Sequence, residues 1–130
     1  MFEIEIYKDK NGNCEIKNFL KNLQENKNKD NNIKFNKIVL YIRLLKENGL
    51  QLDQPYIKHI DSEIWELRPL KYRILFAVLN NNKFILLSIF MKKTQKTPKN
   101  EIKKAKKIFE DYKKRSDLLW AKKNLKLGMN

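Results

Sequence analysis

Three apolar, β-branched runs parted by turn residues constrain this chain more than any other feature. They are Ile64–Arg68, Tyr72–Leu79 and Lys83–Met91, separated by Pro69-Leu70-Lys71 and Asn80-Asn81-Asn82. Such runs suit a pleated, half-buried surface, and the turn chemistry between them predicts a meander of antiparallel strands. Two-residue turns at Leu70-Lys71 and Asn81-Asn82 would put Leu67 opposite Ile74, Trp65 opposite Phe76, Phe76 opposite Leu87 and Ile74 opposite Ile89. One face then carries Trp65, Leu67, Ile74, Phe76, Val78, Ile85, Leu87 and Ile89, which is a core. The other carries Glu66, Arg68, Arg73, Ser88, Phe90 and Lys92. A slip of one residue would send the apolar set to solvent, so this register is favoured.

The register makes Arg68 and Arg73 cross-strand neighbours, with Lys92 entering from the third strand. Like charges opposed on a sheet repel, which suggests a site for an anion. Only 4 of the 29 basic residues are arginines, and two of the four sit here. The planar guanidinium makes bidentate contacts with phosphate oxygens that lysine cannot make. An ordinary solvated face, with the arginines paired to Glu66, is an equally open reading of these residues.

The flanking segments predict an α+β domain spanning 1–130. Phe2–Tyr7 alternates as a strand, and Ile16, Phe19, Leu20 and Leu23 form a helical stripe. After a polar turn at Asn26–Asn32, a second helix is expected from about Ile33 to Asn48. Phe35, Ile38, Tyr41, Ile42 and Leu45 line it, Val39 and Leu44 widen the stripe, and Gly49 ends it. These two helices would form an antiparallel hairpin on the apolar face of a mostly antiparallel sheet, leaving the basic face uncovered. Tyr56–Ile60 reads as a short strand carrying Lys58 and His59. Thr97 and Pro98 suit the N-cap and first turn of a helix that runs to about Arg115. Ser116 would cap a separate short helix, Asp117–Leu127, in a C-terminal extension (116–130).

Charge bears on the partner. The net charge of +14 is uneven: residues 1–91 carry 15 basic and 11 acidic side chains, residues 92–130 carry 14 and 4. That asymmetry points to a polyanion, nucleic acid before membrane, although many helix lysines read simply as solvated. No apolar run is long enough for a bilayer span, the start does not read as a signal peptide, and a lone Cys14 excludes an intramolecular disulfide framework. A cytoplasmic protein is expected, with no metal and no cofactor. The only histidine, His59, reads as structural before catalytic.

Ile64-Trp65-Glu66-Leu67-Arg68, Tyr72-Arg73-Ile74-Leu75-Phe76, Leu86 through Pro98 (LLSIFMKKTQKTP), and Glu101-Ile102 with Ala105 together follow one long, ordered pattern. It resembles the HigB-type, phage-derived branch of the RelE/ParE toxin superfamily, best over Lys58–Tyr112. The resemblance implies a RelE-like fold and the toxin of a type II toxin–antitoxin pair. Such a toxin is a ribosome-dependent mRNA endonuclease (mRNA interferase) that arrests growth by inhibiting translation. Its implied partners are the ribosome, mRNA and a cognate antitoxin of helix-turn-helix type. Arg68, Arg73, Lys92 and Lys93 would be the catalytic residues, with Arg73 on the scissile phosphate. Lys58, Tyr72, Phe90 and Lys96 would contact RNA; relatives differ in which side chains handle protons, and His59, Glu66 or a pKa-depressed lysine are the candidates for general base here. Two other functions compete, a ParE-like gyrase-binding toxin and a noncatalytic nucleic-acid-binding regulator. Because Arg73 lies off the expected core face, Arg73→Ala should leave the fold intact.

Overall fold

The computed structural model describes residues 1–125. Its elements are β1 (Glu3–Ile6), α1 (Glu15–Glu25), α2 (Lys29–Asn48), β2 (Ile57–Asp61), β3 (Ile64–Leu67), β4 (Tyr72–Asn80), β5 (Lys83–Met91) and α3 (Lys99–Leu125), with a 3-10 turn at Gly49–Leu52. The sheet order is β1-β5-β4-β3-β2, antiparallel except where β1 runs parallel to β5. This is the α+β arrangement expected of a RelE-like fold.

The β3–β4 register is the expected one, with Trp65 opposite Phe76 and Leu67 opposite Ile74. The β4–β5 pairing holds at Ile74–Ile89 and then shifts, so that Phe76 faces Leu86 and not Leu87. A bulge at Leu87 causes the shift: one extra residue puts Leu87 and Ser88 on the same side and reverses the alternation beyond them. Phe84 and Leu86 therefore join Phe76 under the helical hairpin, where Ile16, Leu23, Ile38 and Leu45 also pack. Ile85 and Leu87, expected in that core, turn to the opposite face.

The opposite face is not uncovered. Ile64, Leu75, Ala77, Ile85 and Leu87 form a second apolar layer there, closed by Ala105 and Phe109 of α3 with Ile108 and Tyr112 at its edge. The sheet is sandwiched between the α1–α2 hairpin and α3, and only one end of the α3 face stays open. No break occurs at Ser116, because α3 is one helix of 27 residues. Nothing at Ser116 is helix-breaking, and the surrounding residues are good helix formers. The expected end at Leu127 lies outside the described residues. The α3 face beyond Tyr112 leaves Leu118, Leu119 and Trp120 exposed.

Local signals account for the remaining boundaries. Asn28 caps α2 through its side chain, which accepts from the Asn31 N–H at 2.8 Å, so the helix begins four residues earlier than its apolar stripe. Val39 is exposed and does not widen that stripe. Gly49 ends α2 at φ +62°, and an added Cβ there would sit 2.4 Å from the Phe2 ring. Both the left-handed backbone and the close approach require glycine. Among the described residues no helix is long and apolar enough to cross a membrane.

Two reciprocal hydrogen bonds dock α3 on the end of β1. The Tyr7 hydroxyl donates to Asp111 at 2.8 Å and the Tyr112 hydroxyl donates to Glu5 at 2.6 Å. Burial, then the bond to Glu5, push the Tyr112 phenol up from 10.0 to about 12. The protonated form is thus favoured in the folded state. Its stabilisation is complete below pH 10 and is lost as pH rises toward 12, where the unfolded chain has already released the proton. Urea unfolding at several pH values should therefore show wild type losing stability over that interval more steeply than Tyr112→Phe. Parallel curves for the two proteins would contradict this account.

Candidate functional site

The open end of the α3 face is a cleft between β3, β4, β5 and the loop that leads into α3. It is lined by Glu66, Arg68, Arg73, Phe90, Lys92, Thr94, Gln95, Lys96, Thr97 and Pro98. Strand alternation puts Glu66, Arg73 and Phe90 on this side, since Glu66 lies opposite Leu75 and Arg73 opposite Phe90. Four cations thus surround one carboxylate.

That carboxylate organises the cleft. Glu66 is 3% exposed, and its Oε1 accepts the Thr97 hydroxyl at 2.7 Å. Its Oε2 lies 3.6 Å from Arg68 Nε and 3.9 Å from Arg73 Nε. These separations give attraction without a hydrogen bond, whose N···O distance rarely exceeds about 3.2 Å. The arginines therefore pair with Glu66, but in a largely buried groove and not on a solvated face.

The two arginines differ in what they have left to offer. Arg73 is 7% exposed, and its Nη1 donates to the carbonyls of Leu70 and Tyr72 at 3.0 and 2.7 Å. Its guanidinium is pushed below its ordinary pKa, first by burial, while Glu66 opposes the shift and Arg68 adds to it. Arg68 is more open, yet its Nε is buried with no hydrogen-bond partner. A buried charged donor without a hydrogen bond is costly, and the Glu66 charge 3.6 Å away offsets part of that cost.

The cleft is tight. Its water-accessible space is about 10 Å3, room for one water molecule. A phosphate fits only once a lining side chain moves, and Gln95 and Lys96 are exposed on the loop where such movement is cheap. The loop is held by Lys92 N–H donating to the Lys71 carbonyl, by the Thr94 hydroxyl on the Lys96 carbonyl, and by Thr97 on Glu66.

The structure brings together Glu66, Arg68, Arg73, Phe90, Lys92 and Lys96, and leaves four expected site residues outside. Lys93 is exposed on the same loop but does not line the cleft. Lys58 lies opposite Glu66 on β2, on the correct face but one strand further out. His59 is on the other face, its ring 4.8 Å from Trp65, and its Nε2 is 2.7 Å from the Ser62 carbonyl. A carbonyl only accepts, so that nitrogen carries a proton. Tyr72 is buried under the hairpin, edge-on to Phe19. Sequence reasoning missed Thr97, which was expected to cap α3 and instead bonds Glu66 across 31 residues of chain. The Pro98 carbonyl accepts from Glu101 and Ile102 at that helix start. Among the described residues no cluster of three or more His, Cys, Asp or Glu side chains is placed to hold a metal.

The sequence pattern of the family described as phage derived protein Gp49-like (DUF891) matches residues 18–110, well over half of the chain and all of the cleft. No curated protein matches the chain.

The contrast between the arginines sets an expectation for stability. Arg73→Ala strips one buried and one part-buried carbonyl of a donor and Glu66 of a countercharge, at a cost of about 3 kcal/mol. Arg68→Ala, at the open side, should cost about 1 kcal/mol or less. Urea unfolding of the two variants checks the order, which reverses the expectation that Arg73 could be removed without harm to the fold.

Proposed function

The chain belongs to the phage-derived Gp49-like family, a family of RelE/HigB-like toxins, and from that premise we propose that it is a toxin that cleaves mRNA on the ribosome. The observation that carries this reading is the convergence of Arg68, Arg73, Lys92 and Lys96 on one cleft. A gyrase poison has no need of phosphate ligands converging in a groove.

In the reaction, a ribose 2′-OH attacks the adjacent phosphorus and the bond to the 5′ oxygen breaks. The products are a 2′,3′-cyclic phosphate and a 5′-OH end. Negative charge builds on the nonbridging oxygens in the transition state, where fixed cationic donors are most effective. Arg68 takes the scissile phosphate, because Arg73 already spends Nη1 on two carbonyls. Arg73 braces the turn and offsets the Glu66 charge. Lys92 and Lys96 hold the strand from the loop, Lys93 meets a flanking phosphate, and the Phe90 ring forms the apolar wall. Glu66, the one carboxylate lining the cleft among the described residues, takes the 2′-OH proton, and the ammonium of Lys92 or Lys96 gives one to the departing 5′ oxygen. His59 does not fill that role from the far side of the sheet. A helix-turn-helix antitoxin is the expected partner, and the ribosome presents the message and helps to orient the 2′-OH.

Induced expression with mapping of mRNA 5′ ends tests this. Wild type should arrest growth and cut transcripts. Arg68→Ala and Lys92→Ala, checked for folding by circular dichroism, should each reduce cutting about 100-fold or more. Growth arrest with intact transcripts and lost supercoiling would replace the nuclease with a gyrase-directed toxin.

A further inference from the structure

β1 is an edge strand whose outer side is finished at both ends and not in the middle. In a strand the backbone groups of successive residues point to opposite sides, so only alternate residues bond a given neighbour. The Glu3 and Tyr7 N–H groups donate to the Asn82 and Leu86 carbonyls, so these and Glu5 face β5, while Phe2, Ile4, Ile6 and Lys8 face outward. At one end the Phe2 N–H donates to the Lys46 carbonyl of α2, and at the other the Lys8 carbonyl accepts from Arg115 Nη2 of α3. Between them, the N–H and C=O groups of Ile4 and Ile6 have no hydrogen-bond partner among the described residues. We propose that this edge docks an extended, acidic segment of a partner polypeptide, which adds to the sheet as a further strand beside β1. Nothing in it depends on the chemistry of the arginine cleft.

The backbone selects the class of partner. Donors and acceptors alternating at strand spacing are matched by another extended polypeptide, and not by a lipid surface or a nucleic acid.

α3 supplies a roof. Ala105, Phe109 and Tyr112 pack on the sheet, and the same helical spacing continues through Ser116 to Leu119. There Arg115, Ser116 and Leu119 overhang Ile6, Tyr7 and Lys8 around a recess of about 260 Å3. The stripe that packs the helix therefore outlasts the sheet it packs on, and Leu119 is left 66% exposed with Trp120 beside it at 60%. A strand laid along Ile4 and Ile6 runs into this recess and covers Leu119.

Charge selects the sign. Lys8, Lys114, Lys122 and Lys123 have no acidic partner among the described residues, and Asp117 is the only carboxylate between Lys113 and Lys123. A segment carrying carboxylates meets cations from both β1 and α3. A second copy of this chain brings a charge of +14 and, paired antiparallel, sets Glu3 and Glu5 against their own counterparts, so it is disfavoured.

A short peptide of alternating Glu and Val tests this on the full chain, read by titration and by amide hydrogen exchange. Binding should slow exchange of the Ile4 and Ile6 amides about tenfold or more, while Glu5 and Tyr7, already bonded to β5, change little. Forms of the peptide N-methylated on every Glu or on every Val should differ about tenfold in affinity, because only one set of N–H groups faces β1. Leu119→Ser, at an exposed helix position that leaves the fold intact, should weaken binding about tenfold. A Lys and Val peptide should bind more weakly than the Glu peptide. Ile4 and Ile6 amides unprotected at millimolar Glu peptide, equal affinities of the two methylated forms, unchanged binding by Leu119→Ser, or tighter binding of the Lys peptide would overturn the proposal. Protection of the same two amides by raising the protein concentration alone would overturn it too, in favour of a second copy.

Discussion

A carboxylate buried between two guanidinium groups holds the functional end of this molecule together. Without Glu66, Arg68 and Arg73 would repel across neighbouring strands, and the loop carrying Lys92 through Thr97 would lose one of its ties to the sheet. The distances are long for hydrogen bonds, so the attraction steadies the guanidinium groups without exhausting their donors. That compromise is what a binding site needs. A tighter ion pair would give a more stable protein whose arginines had nothing left for a ligand. The cost is a buried, unsatisfied donor on Arg68, which is tolerable because the rest of the sheet is packed on both sides.

The strongly basic C-terminal region looks different once α3 is in place. Several of its lysines meet acidic residues elsewhere in the fold: Lys104 binds Glu15, Lys106 binds Asp61, and Lys113 reaches Glu63 and Glu110. These contacts are exposed and individually weak, but they orient the helix. Part of the charge asymmetry is therefore a docking pattern for α3. A smaller set, Arg68, Arg73, Lys92 and Lys96, converges on the cleft.

The elements and the site face were largely legible in the sequence. Alternation in β3, β4 and β5 put Glu66, Arg68, Arg73, Phe90 and Lys92 on one side, and the family-like pattern pointed to the same residues. The bulge was not legible. Ile85, Leu86 and Leu87 are all aliphatic, so periodicity cannot tell which of them is the extra residue, and one misplaced residue moved two side chains to the wrong layer. The expectation of a bare basic face was mistaken independently of the bulge, because Ile64, Leu75 and Ala77 alternate onto that side in the expected register. The role of Thr97 was hidden for another reason: a threonine before a proline carries a strong local cap signal, and its contact with Glu66 is visible only in three dimensions. His59 was a candidate by residue type alone, and its neighbour Lys58 took the cleft-side position.

The pairing of β1 with β5 has a temporal consequence. β1 finds its neighbour only in residues 83–91, and the helix that fastens it through Asp111 and Tyr112 comes later still. Such distant contacts close slowly and late. The sheet is therefore completed at its β1 edge only after β5 and α3 have been made.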